Sequence, residues 1–231
     1  MKVLASYSVE SEGVPAEIVI LDAGFQHRRV SRDCEIVLVP GRTPLGGWAL
    51  LPRGPMREPM ESLARADLVV VTKADEALER LGALTERLRS LAPQAAFVTA
   101  AHQPVALLRP SDGTTDDPTR LSGMRLGLLS SIGDPAGFEA TVQRLHATFA
   151  WHEAFPDHHP YRPDDWAAVV RRAQQGGVEG VVTTEKDWVR LAPVAARGIP
   201  CPVPVWVIAV RMQLLSGEQE LDDRLARVSL R

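Results

Sequence analysis

Residues 18–29 read Ile18-Val19-Ile20-Leu21-Asp22-Ala23-Gly24-Phe25-Gln26-His27-Arg28-Arg29, an apolar run that ends in a carboxylate, a glycine and a basic tail. A short apolar run bounded by turn residues predicts a buried strand of a parallel sheet, and such sheets bind ligands beyond the carboxyl ends of their strands. In phosphoryl-transfer enzymes an Asp at that position holds Mg²⁺ directly or through water. A strand ending in Asp has a simpler explanation as well, since Asp favours turns and helix caps.

The composition is that of an ordinary globular protein. The 231 residues are 45% hydrophobic and 24% charged with a net charge of −3, which allows one or two domains and gives no reason to expect a nucleic-acid partner. Cys34 and Cys201 lack metal-ligand spacing and indicate a reducing compartment. The sequence has neither an apolar run long enough to span a membrane nor a signal peptide, so we expect a cytoplasmic protein.

Apolar runs alternate with helical patterns along most of the chain, which predicts an α/β fold with a parallel sheet. Besides 18–21, we expect strands at 35–39, 67–72, 96–99, 105–108, 126–129, 180–183 and 203–210. We expect helices at 61–65, 76–92, 163–175 and 217–230, one beginning within 183–187, and one lined by Phe138, Val142, Leu145 and Phe149. Because 109–120 is polar and aperiodic, we predict a domain over 1–110, a linker over 111–120 and a second α/β domain over 121–231.

The Gly- and Pro-rich stretch from 41 to 59 predicts an ordered surface loop. Within it, Arg53, Arg57 and Glu58 could present a bidentate phosphate clamp and a carboxylate to the same site as Asp22. An exposed Arg–Glu pair, which contributes little to stability, explains the same pattern. The residues alone leave both interpretations open.

The tetrapeptide Thr72-Lys73-Ala74-Asp75 has the form with which GTPases bind guanine, the Asp accepting hydrogen bonds from the base. The same residues are typical of a strand-to-helix turn with Asp75 near the helix cap. We favour the turn.

The triplet Asp157-His158-His159 is the most reactive in the chain. A His beside a carboxylate can be held in one tautomer and made more basic, as a general base or its electrostatic partner requires. Two adjacent His could instead bind a metal, but the sequence places no further Cys or His at ligand spacing, which disfavours zinc. A structural role at the surface is the third interpretation.

Four motifs then occur in a fixed order: 20–27 (ILDAGFQH), 51–59 (LPRGPMREP), 155–159 (FPDHH) and 183–187 (TTEKD). In this order and approximate spacing they resemble the tetraacyldisaccharide 4'-kinase family, the lipid A kinases of Gram-negative bacteria. The resemblance extends from about Val14 to the C-terminus. It implies a P-loop-kinase-like, three-layer α/β/α fold in which a thin connection joins two α/β domains and the site lies in the cleft between them.

The resemblance also implies the reaction. The family transfers the γ-phosphate of ATP, with Mg²⁺, to the 4'-hydroxyl of tetraacyldisaccharide 1-phosphate, a lipid A precursor. The expected location is therefore cytoplasmic and peripheral to the cytoplasmic face of the inner membrane, with a membrane surface as a partner.

Site residues follow from the resemblance position by position. Asp22 matches the first of two consecutive aspartates at the Mg-ATP site and is the expected metal ligand. Glu58 matches a carboxylate in the same cleft, and Arg57 accompanies it. Gln26, in the first motif, is the remaining residue expected to bind ATP.

On the same basis His158, preceded by Asp157, matches the histidine of the catalytic pair. Two features depart from the family: its second aspartate is Ala23 here, and its Walker A loop and the carboxylate that pairs with the catalytic His belong to a segment before this chain begins. No lysine of the chain follows a glycine, so we expect a truncated N-terminal domain. The alternatives are a non-catalytic remnant that binds the lipid saccharide, and a GTPase-like switch built on 72–75.

Overall fold

The computed structural model describes residues 10–11, 14–15, 19–42, 49–54 and 56–229, and strands alternate with helices through most of them. The strands are β1 (Glu10–Ser11), β2 (Val14–Pro15), β3 (Ile36–Pro40), β4 (Leu68–Thr72), β5 (Ala96–Arg109), β6 (Thr114–Asp116), β7 (Arg125–Ser130), β8 (Thr148–Ala154), β9 (Gly180–Thr184) and β10 (Val205–Ser216). The α-helices are α1 (Leu78–Leu91), α2 (Pro135–Arg144), α3 (Pro163–Gln175), α4 (Glu185–Ala195) and α5 (Glu218–Ser229). The predicted α/β class is confirmed.

The chain forms two compact units. The first comprises Met1–His102 and Met212–Arg231, and the second comprises Gln103–Arg211. The predicted division into 1–110 and 121–231 differs from these units, because their boundaries fall inside the long strands β5 and β10. The segment expected to be a linker, 111–120, contains β6, which pairs with β5.

The second unit is built on parallel strands in the order β10-β9-β7-β8. On β7, Leu128 belongs to one buried cluster with Phe138 of α2, and Leu129 belongs to another with Trp166 of α3 and Leu191 of α4. Successive residues of a strand point to opposite faces, so helices cover both faces of this sheet. The unit therefore has three layers.

The order of these strands creates a site-forming crevice. The chain leaves β7 through α2 towards β8 on one side, and leaves β9 through α4 towards β10 on the other. In an open α/β sheet the point where two connections diverge in this way is where ligands bind, beyond the carboxyl ends of the strands. Ser131 directly follows β7 and Glu185 directly follows β9, so both lie at this crevice.

In the first unit, β3, β4 and the beginning of β5 lie side by side and parallel. Strand β4 is buried from Leu68 to Val71, the continuous apolar pattern of a strand covered on both faces. On one face Val69 shares a buried cluster with Leu88 of α1, and on the other Val70 packs in a cluster with Leu221 of α5. This unit also has a sheet with helices on both faces.

The predicted first strand, 18–21, is wrong over the residues that can be checked. Residues 19–21 are not in a strand, and Val19 and Ile20 are 50% and 87% exposed. Residue 18 lies outside the described residues. An apolar run becomes a strand only when a neighbouring strand accepts its backbone hydrogen bonds, and no described strand pairs with 19–21.

Three other expectations change in detail. The two short strands expected at 96–99 and 105–108 form the single strand β5, whose backbone stays extended through His102, Gln103 and Pro104. Phe149 lies in β8, not in the helix that precedes it, because α2 ends at Arg144. The helix expected at 61–65 is a 3₁₀ helix, Met60–Arg65.

The segment 72–75 forms a strand-to-helix turn, as we favoured. Thr72 ends β4, Lys73 has a positive φ of 52°, and Ala74–Glu76 makes a 3₁₀ turn before α1. Nothing among the described helices combines the length and the apolar character that crossing a bilayer requires.

Candidate functional site

In the first unit, the candidate site begins with the tight turn that follows Asp22. Ala23 adopts a left-handed conformation with φ 53°, and Gly24–Gln26 forms a 3₁₀ turn. The Arg32 guanidinium donates hydrogen bonds to the carbonyls of Gly24 and His27 and so stabilises this turn. The carboxylate of Asp22 is left exposed at the beginning of the turn.

The loop that carries Arg57 and Glu58 meets this turn. Arg57 Nη1 lies 3.4 Å from Gln26 Oε1, and Arg65 Nη2 donates to Glu58 Oε2 at 2.7 Å. The Arg65 guanidinium also lies 4.4 Å from the centre of the Phe25 ring. The structure therefore brings Gln26, Arg57 and Glu58 into one cluster, close to the turn that follows Asp22.

The charge of Glu58 is fixed by its neighbours. The hydrogen bond from Arg65 lowers the pKa of the Glu58 carboxyl, and the positive charges of Arg65 and Arg28 act in the same direction. Glu58 is therefore ionised at neutral pH. An open depression of roughly 400 Å³, lined by residues 26–30, lies on the turn and carries two further cations, Arg28 and Arg29. Such a lining suits an anion.

Asp22 and Glu58 are the two acidic residues considered as metal ligands in this part of the first unit. Among the residues that the structure describes, no three or more His, Cys, Asp or Glu side chains are placed to share one ion. Mg²⁺ commonly takes one or two carboxylates together with phosphate oxygens and water. The exposed carboxylate of Asp22 meets that requirement, whereas Glu58 is already engaged by Arg65.

In the second unit, Asp157 and His158 lie on the loop between β8 and α3. Asp157 Oδ1 accepts a hydrogen bond from Lys186 Nζ at 3.0 Å, whereas Asp157 Oδ2 is 3.7 Å from His158 Nε2. The second distance is too long for a hydrogen bond. The carboxylate that was expected to fix the tautomer of His158 is thus hydrogen-bonded to Lys186 and not to the imidazole of His158. The hydrogen bond from Lys186 lowers the pKa of Asp157.

The two adjacent histidines have different surroundings. The side chain of His158 is 73% exposed, and its backbone has a positive φ of 61°. The ring of His159 stacks on Phe155 with 4.4 Å between ring centres, and its Nε2 lies 2.9 Å from Asp165 Oδ2. His159 is therefore held by its neighbours within the unit, whereas the imidazole of His158 is open to solvent.

Two charged partners in these clusters were missed by the sequence analysis. Arg65 gave no signal, since it lies seven residues after Glu58 at the end of a predicted helix. Lys186 lies in the fourth motif, but it is separated from Asp157 by 29 positions in the sequence, so the sequence alone did not indicate the contact. Parallel sheet topology places Asp157 and Lys186 at the same sheet edge, which a sequence shows only once the strand order is known.

Comparison with known proteins agrees with the four motifs. The family described as tetraacyldisaccharide-1-P 4'-kinase matches residues 4–229. The tetraacyldisaccharide 4'-kinase of Anaeromyxobacter dehalogenans (strain 2CP-C) is 42% identical over 227 residues, which are 96% of this chain and 58% of that protein. The protein of the same name from Syntrophus aciditrophicus is 39% identical over 196 residues, covering 82% of this chain and 52% of that protein. The chain thus spans little more than half the length of these relatives.

A solved structure supports the fold. The chain superposes on the apo form of LpxK from Aquifex aeolicus in complex with ATP with a TM-score of 0.55. The superposition covers 89% of this chain and 55% of that one, at 22% sequence identity. The predicted kinase-like α/β fold is therefore confirmed at the level of the fold.

Proposed function

The chain belongs to the tetraacyldisaccharide-1-P 4'-kinase family, and from this premise we propose that it serves to transfer the γ-phosphate of ATP to the 4'-hydroxyl of tetraacyldisaccharide 1-phosphate. The observation that carries the proposal is the family match over residues 4–229, which includes both clusters described above. Phosphoryl transfer depends mainly on positioning and on neutralising charge, and the two clusters offer the groups for both.

The cluster of the first unit is assigned to Mg-ATP. Asp22 would hold Mg²⁺, which, when bound, neutralises charge on the phosphate oxygens. Arg57, next to Gln26, offers a planar guanidinium for a phosphate group. Glu58, kept ionised by Arg65, sets the position of this loop and can accept a hydrogen bond from the nucleotide.

The cluster of the second unit is assigned to the acceptor. We assign to the His158 imidazole the removal of the proton from the 4'-hydroxyl as its oxygen forms a bond to the γ-phosphorus and the bond from that phosphorus to the leaving oxygen of ADP breaks. Its exposed ring is available to a ligand, and the Asp157 carboxylate lies 3.7 Å from its Nε2. Because the acceptor carries four acyl chains, we place the reaction at a membrane surface, on the cytoplasmic face of the inner membrane where ATP is present.

A non-catalytic role in binding the lipid saccharide is the second candidate. The observation that favours it is the absence from the sequence of any Gly-Lys dipeptide, so the backbone cradle and lysine that usually bind the β- and γ-phosphates are not found in these 231 residues. Calorimetric titration of the purified chain with tetraacyldisaccharide 1-phosphate and separately with Mg-ATP distinguishes the two roles. Binding of the saccharide with no phosphorylated product in any context favours the second.

The direct test of the kinase role uses a chimera in which this chain replaces the matching region of the Anaeromyxobacter dehalogenans kinase. We expect the chimera to transfer labelled phosphate from γ-labelled ATP to the 4'-hydroxyl of the saccharide. A chimera with His158→Ala is the matched control. A folded chimera that binds ATP but forms no 4'-phosphate would contradict the proposal.

A further inference from the structure

The fourth motif surrounds a carboxylate that is completely buried. Asp187 has no exposed surface, and its Oδ1 accepts hydrogen bonds from the Ser131 amide (3.0 Å), the Ser131 hydroxyl (2.7 Å), the Tyr161 hydroxyl (3.1 Å) and Arg190 Nη2 (2.8 Å). Its Oδ2 accepts from the hydroxyl of Thr184 at 2.7 Å. A buried charge is tolerated only when it is paired and fully hydrogen-bonded, and these partners meet both conditions.

The partners of Asp187 come from four segments of the second unit. Ser131 follows β7, Tyr161 lies near the end of the loop that carries Asp157 and His158, Thr184 ends β9, and Arg190 lies on α4. Burial raises the pKa of the Tyr161 hydroxyl, which therefore stays protonated and able to donate. Asp187 thus joins the end of β7, the loop and α4 at the crevice between β7 and β9.

Arg190 extends this connection to both sides of His158. Its Nη2 donates to the hydroxyl of Ser131 at 2.8 Å and to the Ser131 carbonyl at 3.3 Å, and its Nη1 donates to the His159 carbonyl at 3.4 Å. The same Ser131 carbonyl accepts the backbone amide of His158 at 3.3 Å. The backbone on either side of the His158 side chain is therefore attached, directly or through Ser131, to the Asp187–Arg190 pair.

His158 needs such support because its backbone is strained. A non-glycine residue with φ 61° persists only where the surrounding structure enforces it, and such residues concentrate at functional sites. The exposed imidazole makes little packing contact that could supply this force. The contacts that remain are hydrogen bonds to the backbone around His158: those to Ser131 and Arg190 described above, and the turn hydrogen bond from the His159 amide to the Pro156 carbonyl at 3.1 Å.

We propose that Asp187, acting with Arg190, is a positioning residue that keeps His158 in its left-handed conformation, so that the imidazole is presented at the crevice between β7 and β9. This gives a role to the TTEKD motif, and its relevance to phosphoryl transfer rests on the proposed function. Asp187 does not touch the reacting atoms. Its effect passes through Ser131 and the loop.

The test is a comparison of backbone NMR parameters in the full chain with and without Asp187→Asn, a substitution that keeps the shape but removes the charge. We expect the ¹³Cα and ¹³Cβ shifts and the HN–Hα coupling of His158 to move towards the averaged values of an unstructured residue, and its amide exchange to accelerate at least tenfold more than that of Val182 in β9. Glu139→Gln is the matched control, since it removes a carboxylate that is 2.7 Å from His152 Nδ1 in the same unit. The control should leave His158 unchanged.

Arg190→Lys is the second variant, for use if Asp187→Asn does not fold. It keeps a cation beside Asp187 but removes the planar fork that reaches Ser131 and the His159 carbonyl together, so the same local change at His158 is expected. Two results would overturn the inference. One is a folded variant in which the chemical shifts, coupling and amide exchange of His158 are unchanged, and the other is an equal loss of protection from amide exchange throughout the second unit. Neither readout needs ATP or the saccharide, so a failure of the proposed kinase reaction would be seen separately.

Discussion

Replacing Arg65 by Met tests whether the arginine that the sequence analysis missed stabilises the first cluster. Arg65 makes two substantial contacts, the 2.7 Å ion pair with Glu58 and the 4.4 Å approach to the Phe25 ring. Met retains most of the unbranched aliphatic part of the side chain and removes the guanidinium. The substitution therefore removes the charge contacts while keeping most of the packing.

The size of the effect follows from the exposure of the partners. The side chains of Arg65 and Glu58 are 29% and 22% exposed, so solvent screens the pair and we assign it about 0.5–1 kcal/mol. The contact with the Phe25 ring adds about 0.5–1 kcal/mol. We expect Arg65→Met to lower the free energy of unfolding at pH 7 by about 1–2 kcal/mol, measured by urea denaturation followed by circular dichroism.

The effect should depend on pH in one direction. Arg65 lowers the pKa of Glu58 in the folded state, so the folded state binds fewer protons than the unfolded state, whose pKa is about 4.3. The stabilisation is fully present above that unfolded-state pKa and is lost as the pH falls through the lower folded-state value. The difference between the wild type and Arg65→Met should therefore shrink below about pH 4.

Arg89→Met is the matched control, because the Arg89 guanidinium lies 5.0 Å from the centre of the Phe97 ring in the same unit. It should cost about 0.5 kcal/mol, with no such change between pH 7 and pH 4. A double-mutant cycle between Arg65→Met and Glu58→Gln should give a coupling of about 0.5–1 kcal/mol. A coupling near zero, or an Arg65→Met effect that does not change with pH, would refute this account of Glu58.

Two further predictions concern the reaction and the core. In the chimera, His158→Ala should reduce turnover on the order of 100-fold with little change in ATP affinity, and unchanged turnover would exclude His158 as the general base. Gly180→Ala should lower the free energy of unfolding by about 1–3 kcal/mol, because a Cβ there would lie 2.0 Å from the Trp206 ring. Gly82→Ala, whose Cβ would meet nothing within 4 Å in α1, should instead raise it by about 0.5–1 kcal/mol, so equal effects at the two glycines would contradict the packing argument. Urea denaturation measures both.

The elements that the sequence predicted well are those whose pattern reflects burial within the described residues. The unbroken apolar runs at 68–71 and 126–129 became β4 and β7, and the leucine periodicity of 78–91 became α1. The run at 19–21 has the same pattern but forms no strand and leaves Val19 and Ile20 exposed, because a strand also needs a partner for its hydrogen bonds. The local sequence pattern indicates which secondary structure a segment favours, but it does not show whether another strand will pair with it.

The candidate site was predictable to a similar extent. The motifs identified Gln26, Arg57 and Glu58, which the structure brings together. They could not identify Lys186 as the partner of Asp157, since that contact joins the first turn of α4 to the loop after β8 at one sheet edge. Pairings of this kind depend on strand order, which the sequence pattern leaves open.

The role of Asp187 was also out of reach of the sequence. Its motif suggested only the beginning of a helix, and Thr184 does cap α4 by accepting the Asp187 amide. The buried contacts of the Asp187 side chain with Ser131 and Tyr161 span 56 and 26 residues of chain. Only the folded arrangement shows that one side chain serves the end of β7 and the loop of His158.

The most direct measurement of the central claim is the initial rate at which the chimera with the Anaeromyxobacter dehalogenans kinase transfers labelled phosphate to tetraacyldisaccharide 1-phosphate. The account predicts 4'-phosphorylated product with Mg-ATP from the chimera that carries this chain unchanged, and on the order of 100-fold less with His158→Ala. Equal rates for the two chimeras, or no product from a folded chimera that binds both substrates, would contradict it.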